Sequence, residues 1–106
     1  MATYGVGIVD VTKFGPEIQE YLERIDETLR PYGGRFLIHG GPYHTLEGEW
    51  SSGLIVLEFA DKATALSWYN SPQYQEILPL RANNSTSTIF IVEGVPADHR
   101  ATDILR

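Results

Sequence analysis

Two short runs, Leu54-Ile55-Val56-Leu57-Glu58-Phe59 and Ile89-Phe90-Ile91-Val92, place apolar side chains at odd and even positions alike. Alternate residues of a strand point to opposite faces of its sheet. These strands therefore belong to a sheet that is apolar on both sides, and such a sheet needs cover on both sides.

The rest of the chain supplies cover for one side. Tyr4 to Val11 reads as a first strand, rich in β-branched residues at period two. Gly15-Pro16 then opens a helix, since proline suits the first helical position. Phe14, Ile18, Tyr21, Leu22, Ile25, Leu29 and Tyr32 form its apolar stripe. Pro31 and Gly33-Gly34 end it. Arg35 to His39 is a second strand, with a turn or bulge at Gly40-Gly41-Pro42 and a resumption through Thr45-Leu46-Glu47. Leu54 to Phe59 is the third strand. Asp61 caps a helix from Lys62 to about Tyr69. Ser71-Pro72 restarts a helical segment that brings Tyr74, Ile77, Leu78 and Arg81 to one side, and Pro79 is expected to disturb its last turn. Thr86 to Glu93 is the fourth strand.

The order β-α-β-β-α-β, with right-handed crossovers, predicts an α+β fold of ferredoxin-like type. Its four-stranded antiparallel sheet carries the helices on one face. A second copy of the chain is the simplest cover for the other, so a homodimer is expected. The boundaries follow: residues 1–95 form the domain and 96–106 a C-terminal tail.

Composition excludes several functions. The 106 residues contain no cysteine, which removes disulfides, thiol nucleophiles and thiolate metal sites. A formal net charge of −6 argues against a nucleic-acid partner. No run approaches the ~18 apolar residues that suggest a membrane span. The start, MATYGVGIVDV, lacks the pattern of a signal peptide. A cytoplasmic location is the expectation.

Several residues could carry chemistry. Plain alternation puts Arg35, Leu37 and His39 on one face of the second strand, with Phe36 and Ile38 on the other. If the latter pair packs under the helices, Arg35 and His39 face the space enclosed by the dimer. A histidine there moves protons near neutral pH, and an arginine holds an anionic or enolic oxygen. The alternative is an edge strand with both residues solvated. Tyr69 and Tyr74 flank the break between the second and third helical segments and are candidates for positioning a ligand, or else core anchors. Arg81 either binds an anion or pairs with a nearby acid. Glu47 is a candidate partner for Arg35 or His39, and Trp50 a packing or ligand-contacting residue. His39, His44 and Glu47 do not match a metal-ligand spacing, so no metal is expected. Gly5-Val6-Gly7 sits inside a strand and is no dinucleotide motif; its missing side chains leave room for a ligand or let another backbone approach.

Taken together, Tyr32-Gly33-Gly34-Arg35-Phe36, Leu46-Glu47-Gly48-Glu49-Trp50 and Trp68-Tyr69-Asn70-Ser71-Pro72-Gln73-Tyr74, with Val92-Glu93-Gly94-Val95, resemble the DUF1330 family of small bacterial proteins. The resemblance spans about residues 2 to 95 and implies the dimeric α+β barrel fold. It assigns no reaction. His39 stands where many members carry arginine, and Gly15-Pro16 where Asp-Pro is common. The wider group includes cofactor-free oxygenases, isomerases, cyclases, dehydratases and haem-handling proteins. The expectation is a small-molecule site without cofactor, using proton-transfer chemistry. The alternatives are non-catalytic binding, a dimeric interaction module, or a cofactor-free monooxygenase.

Overall fold

The computed structural model describes residues 1–105. Four strands, β1 (Thr3–Val11), β2 (Arg35–His39), β3 (Gly53–Phe59) and β4 (Ser85–Glu93), form one antiparallel sheet in the order β2-β3-β1-β4. Helices α1 (Pro16–Leu29), α2 (Lys62–Tyr69) and α3 (Pro72–Ala82) connect them. Two short 3₁₀ turns cover Arg30–Tyr32 and Ala101–Leu105. This is the ferredoxin-like α+β arrangement expected from the element order.

The local signals act as expected. Gly15 and Pro16 start α1. The Asp61 carboxylate accepts from the Thr64 amide and caps α2. That bond holds the Asp61 carboxyl below its ordinary pKa. The Ser71 hydroxyl accepts from the Tyr74 amide at the start of α3 and donates to the Trp68 carbonyl at the end of α2. One serine thus fixes both sides of the helix break.

Pro79 does not stop α3, which runs on to Ala82. A proline removes only its own N–H, here the one that would reach the Gln75 carbonyl. Gln75 is exposed, so water can satisfy that oxygen.

The register separates the two faces. Gly5 pairs with Leu57 and Ile91, while Val6 pairs with Val56 and Phe90. Leu57 and Phe59 are buried in the core with Ile25 and Leu29 of α1, Trp68 of α2 and Ile77 of α3. Gly34 lets the chain pass this core closely, because a Cβ there would stand 2.6 Å from Phe59 Cε1 and 2.8 Å from Leu29 Cδ2. The opposite face presents Val6, Ile8, Ile38, Leu54, Val56, Phe90 and Val92, and among the described residues no helix packs over it.

The expected strand resumption at Thr45-Leu46-Glu47 is absent. Residues 41–50 are all exposed and lie between His39 and Gly53 without strand pairing. Gly40 and Gly48 adopt φ of 80° and 75°, a conformation that turns the backbone out of an extended path. No neighbouring strand lies beyond β2 to hold the segment in register.

Candidate functional site

Plain alternation fails in β2. Phe36 pairs with Leu57 and Ile38 with Val56, so Leu37 is an extra residue. Such a bulge inverts the facing of everything after it. His39 therefore joins Phe36 on the helix side, where the two rings stack with centroids 4.5 Å apart. Arg35 stays on the open side and pairs with Glu58 at 2.7 Å. The expectation that Arg35 and His39 share a face is corrected, as is the pairing of Arg35 with Glu47.

A cleft of about 480 Å³ opens between α1 and the sheet, at the end where β1 leads into α1. Val9 and Ile55 form its floor, Ile18 and Tyr21 its helical wall, His39 stands at its side and Arg81 reaches it from α3. A narrower space of about 50 Å³ lies deeper, against Gly5, Gly7, Tyr69 and Tyr74. Val9, Tyr21, Ile55 and Arg81 line both spaces. Side chains already close over the two glycines: a Cβ at Gly7 would stand 3.3 Å from Ile89 Cδ1, and one at Gly5 3.6 Å from Phe59 Cε2.

Arg81 is only 6% exposed. Among the described residues it forms no salt bridge, and its Nε has no hydrogen-bond partner. Its neighbours are two tyrosines whose hydroxyls hydrogen-bond each other at 2.8 Å, Tyr21 from α1 and Tyr74 from α3. The guanidinium carbon lies 5.9 Å from the Tyr21 ring centroid. Burial works against the Arg81 charge, but the Tyr74 and Tyr21 oxygens outweigh it and raise the guanidinium pKa. Burial, reinforced by Tyr74, drives the Tyr21 hydroxyl well above the ordinary tyrosine pKa. Tyr21 is thus held as a neutral phenol beside a cation.

Tyr74 packs 4.2 Å from the Trp68 ring and 5.6 Å from the Tyr69 ring. Trp68 donates its Nε1–H to the Thr28 hydroxyl at 2.9 Å and is a core anchor. Tyr69 is half-buried at the edge of the inner space.

The candidates fall into two groups. His39, Tyr69, Tyr74 and Arg81 gather along the cleft and its inner extension. Arg35, Glu47 and Trp50 do not. Glu47 and Trp50 line a shallow groove within the exposed 43–50 segment, where Trp50 packs edge-on to Tyr43. Tyr21 belongs to the cleft but reads in the sequence as one more apolar-stripe residue. Its partner Tyr74 is 53 positions away, beyond any local spacing. Phe14 and Leu22, expected in the packed stripe, are 79% and 46% exposed and flank the cleft opening. Among the described residues no cluster of histidine and carboxylate could hold a metal.

A four-stranded antiparallel sheet with helices on one face and a cleft between the layers defines a ferredoxin-like α+β protein. Solved structures agree on the fold. A protein of unknown function from Rhodopseudomonas palustris superposes with a TM-score of 0.70 at 14% identity, over 90% of this chain and 83% of its own. A dimeric ferredoxin-like protein of unknown function from a Jannaschia species gives 0.67 at 16% identity, over 89% and 100%. SnoaB, a cofactor-independent oxygenase from Streptomyces nogalater, gives 0.64 at 13% identity, over 93% and 98%. The chain belongs to the DUF1330 family, a domain of unknown function, whose model matches residues 2–95. No curated protein is significantly similar to it in sequence. No helix among the described residues is long and apolar enough to cross a membrane.

Proposed function

We propose that this protein is a homodimer that binds a small organic molecule in the cleft between α1 and the sheet, and transforms it by cofactor-free proton transfer. The observation that carries the reading is Arg81, a buried guanidinium in the cleft wall without a carboxylate to balance it. Burying a charge costs several kcal/mol unless partners compensate. Two tyrosine hydroxyls supply part of that compensation. A ligand oxygen at Arg81 would supply the rest and would accept from the idle donor.

The chemistry follows from what the cleft offers. Arg81 with Tyr21 and Tyr74 stabilises negative charge that develops on a carbonyl oxygen. His39, across the cleft, takes a proton from the carbon next to that carbonyl and returns it at another position. The result is isomerisation, with no net change in electrons. Cyclisation and dehydration need the same groups. The second copy covers the open sheet face, whose exposed Phe90, Val92 and Ile38 form the kind of contiguous apolar surface that monomers rarely leave bare.

The test is a thermal-shift screen with small aromatic acids, quinones, lactones and short keto acids. A ligand at ~100-fold its dissociation constant adds about 2.7 kcal/mol, a shift of several degrees in a domain of this size. Hits are then incubated in D₂O and followed by NMR. Deuterium enters the ligand with the native protein and not with His39→Ala, which still binds. Binding without exchange in both proteins removes the catalytic reading and leaves a binding protein.

A further inference from the structure

We infer that the ligand of this cleft is an apolar monoanion, a hydrophobic acid held with its carboxylate inward at Arg81 and its body along the floor towards Phe14 and Leu22. The inference rests on the cleft being the ligand site, and it adds that the negative charge is already present before any reaction.

The distribution of charge along the cleft carries it. Arg81 is the one lysine or arginine among the lining residues, and it stands where the outer cleft meets the inner space. Among the described lining residues the only carboxylate is Asp10, which is exposed and accepts from the Ser52 hydroxyl at 3.0 Å. A single cation with an unfilled donor suits a single negative charge. A phosphate monoester carries nearly two charges at neutral pH. It would meet no second lysine or arginine among the described lining residues. A neutral ligand oxygen would offset less of the charge that the two tyrosine hydroxyls leave on the buried guanidinium than a carboxylate does.

The walls fix the rest of the ligand. Val9, Ile18 and Ile55 offer hydrocarbon between Arg81 and the opening. At the opening itself, Phe14 and Leu22 stay largely exposed. An apolar body lying between these two positions would cover them and remove apolar surface from water. The tyrosine pair completes the inner end. Burial raises the Tyr21 pKa, and the one phenolic hydrogen that the Tyr21–Tyr74 bond leaves free can be donated to a carboxylate oxygen beside the guanidinium.

The test uses matched acids and primary amides: benzoate, cinnamate, 2-naphthoate and indole-3-acetate against the corresponding amides. Affinity is measured by calorimetry, and the site is mapped by NMR shift changes at Val9, Ile18 and Ile55. The expected result is that acids of sufficient apolar area bind at least about tenfold more tightly than their amides. Affinity should also fall as pH drops through the ligand's own carboxyl pKa. Arg81→Met, which replaces the buried charge with a shorter unbranched apolar side chain, should erase the acid preference while leaving binding of the apolar body. The comparison of acid with amide in the native protein decides the point even if that variant fails to fold. Equal affinity of acids and amides at the mapped cleft would overturn the anionic class and leave the cleft as a site. Failure of every acid and amide to bind at millimolar concentration would overturn both.

Discussion

On the helix side of the sheet, Leu57 and Phe59 are 5% and 1% exposed; on the other side Phe90 and Val92 remain 43% and 45% exposed. Both sides draw on the same residue types, yet they differ in what lies among the apolar groups. The helix side buries Arg81, Tyr21 and Tyr74 and keeps an unfilled space beside them. The open side is a nearly continuous hydrocarbon surface, with the Arg35–Glu58 ion pair at its β2 edge. A covered face with a charged, unfilled interior suits a ligand. An uncovered face without such groups suits a surface of like composition, such as a second copy. The first contrast to test is therefore how each face responds to loss of an aromatic anchor.

The largest expected effect is on the covered side. Trp68→Ala removes a ring packed on Phe59 and Tyr74 and leaves the Thr28 hydroxyl without its donor. Such a truncation costs about 3–5 kcal/mol, measured by urea unfolding. Phe90→Ala, on the open side, should cost the dilute monomer less than about 1 kcal/mol, because the ring has no cover to lose. A comparable loss from both would mean that the two faces are equally packed in one chain.

Next in size is the effect of charge on the open face. Phe90→Asp should raise the dimer dissociation constant by about 100-fold or more, since a carboxylate would be desolvated in the interface. Analytical ultracentrifugation over a concentration series reads this directly. A native protein that is monomeric at all concentrations would remove the dimer from the proposed function and leave the cleft untouched.

A smaller effect distinguishes the tyrosine pair from ordinary core. The Tyr21 hydroxyl has its pKa raised in the folded state, chiefly by burial. Below the ordinary tyrosine value of ~10, both folded and unfolded states keep the proton and stability does not depend on this group. Above it the unfolded chain releases the proton while the folded one holds it, so the stability contributed by Tyr21 declines as pH rises. One such group gives a slope of at most ~1.4 kcal/mol per pH unit. Tyr21→Phe should lose about 1 kcal/mol at neutral pH through its hydrogen bond, and should show a shallower decline above pH ~10. Identical alkaline slopes for the two proteins would mean that the hydroxyl is not buried.

The fold was legible because its signals are local. Gly15-Pro16, Asp61 and Ser71-Pro72 each announce a helix start that the backbone then makes. The two apolar faces of β3 and β4 follow from period two alone. The site was half legible. Arg81, Tyr74 and Tyr69 could be singled out by residue type beside a helix break. Tyr21 could not, because its role arises from packing against α3 and its spacing matches the stripe of any amphipathic helix. Arg35 and His39 were separated by one extra residue in β2, and a bulge leaves no mark in a run such as Arg-Phe-Leu-Ile-His. Glu47 reads as a strand residue, but it lies with Trp50 in a segment that no strand holds.

The smallest expected effect tests that bulge. Arg35 is 67% exposed at its side chain and pairs with Glu58 on the open face. An exposed pair of this kind contributes about 0–1 kcal/mol. Arg35→Gln should therefore leave thermal stability within a degree or two, and ligand affinity in the cleft within about twofold. His39→Ala should act in the opposite manner, altering turnover at the cleft with little change in unfolding, since its exposed ring stacks only on Phe36. Under plain alternation both residues would share one face, and both substitutions would disturb the same ligand. Parallel losses from the two changes would mean that the strand alternates without interruption. Divergent ones would locate the extra residue at Leu37, and with it the reason that the histidine alone faces the cleft.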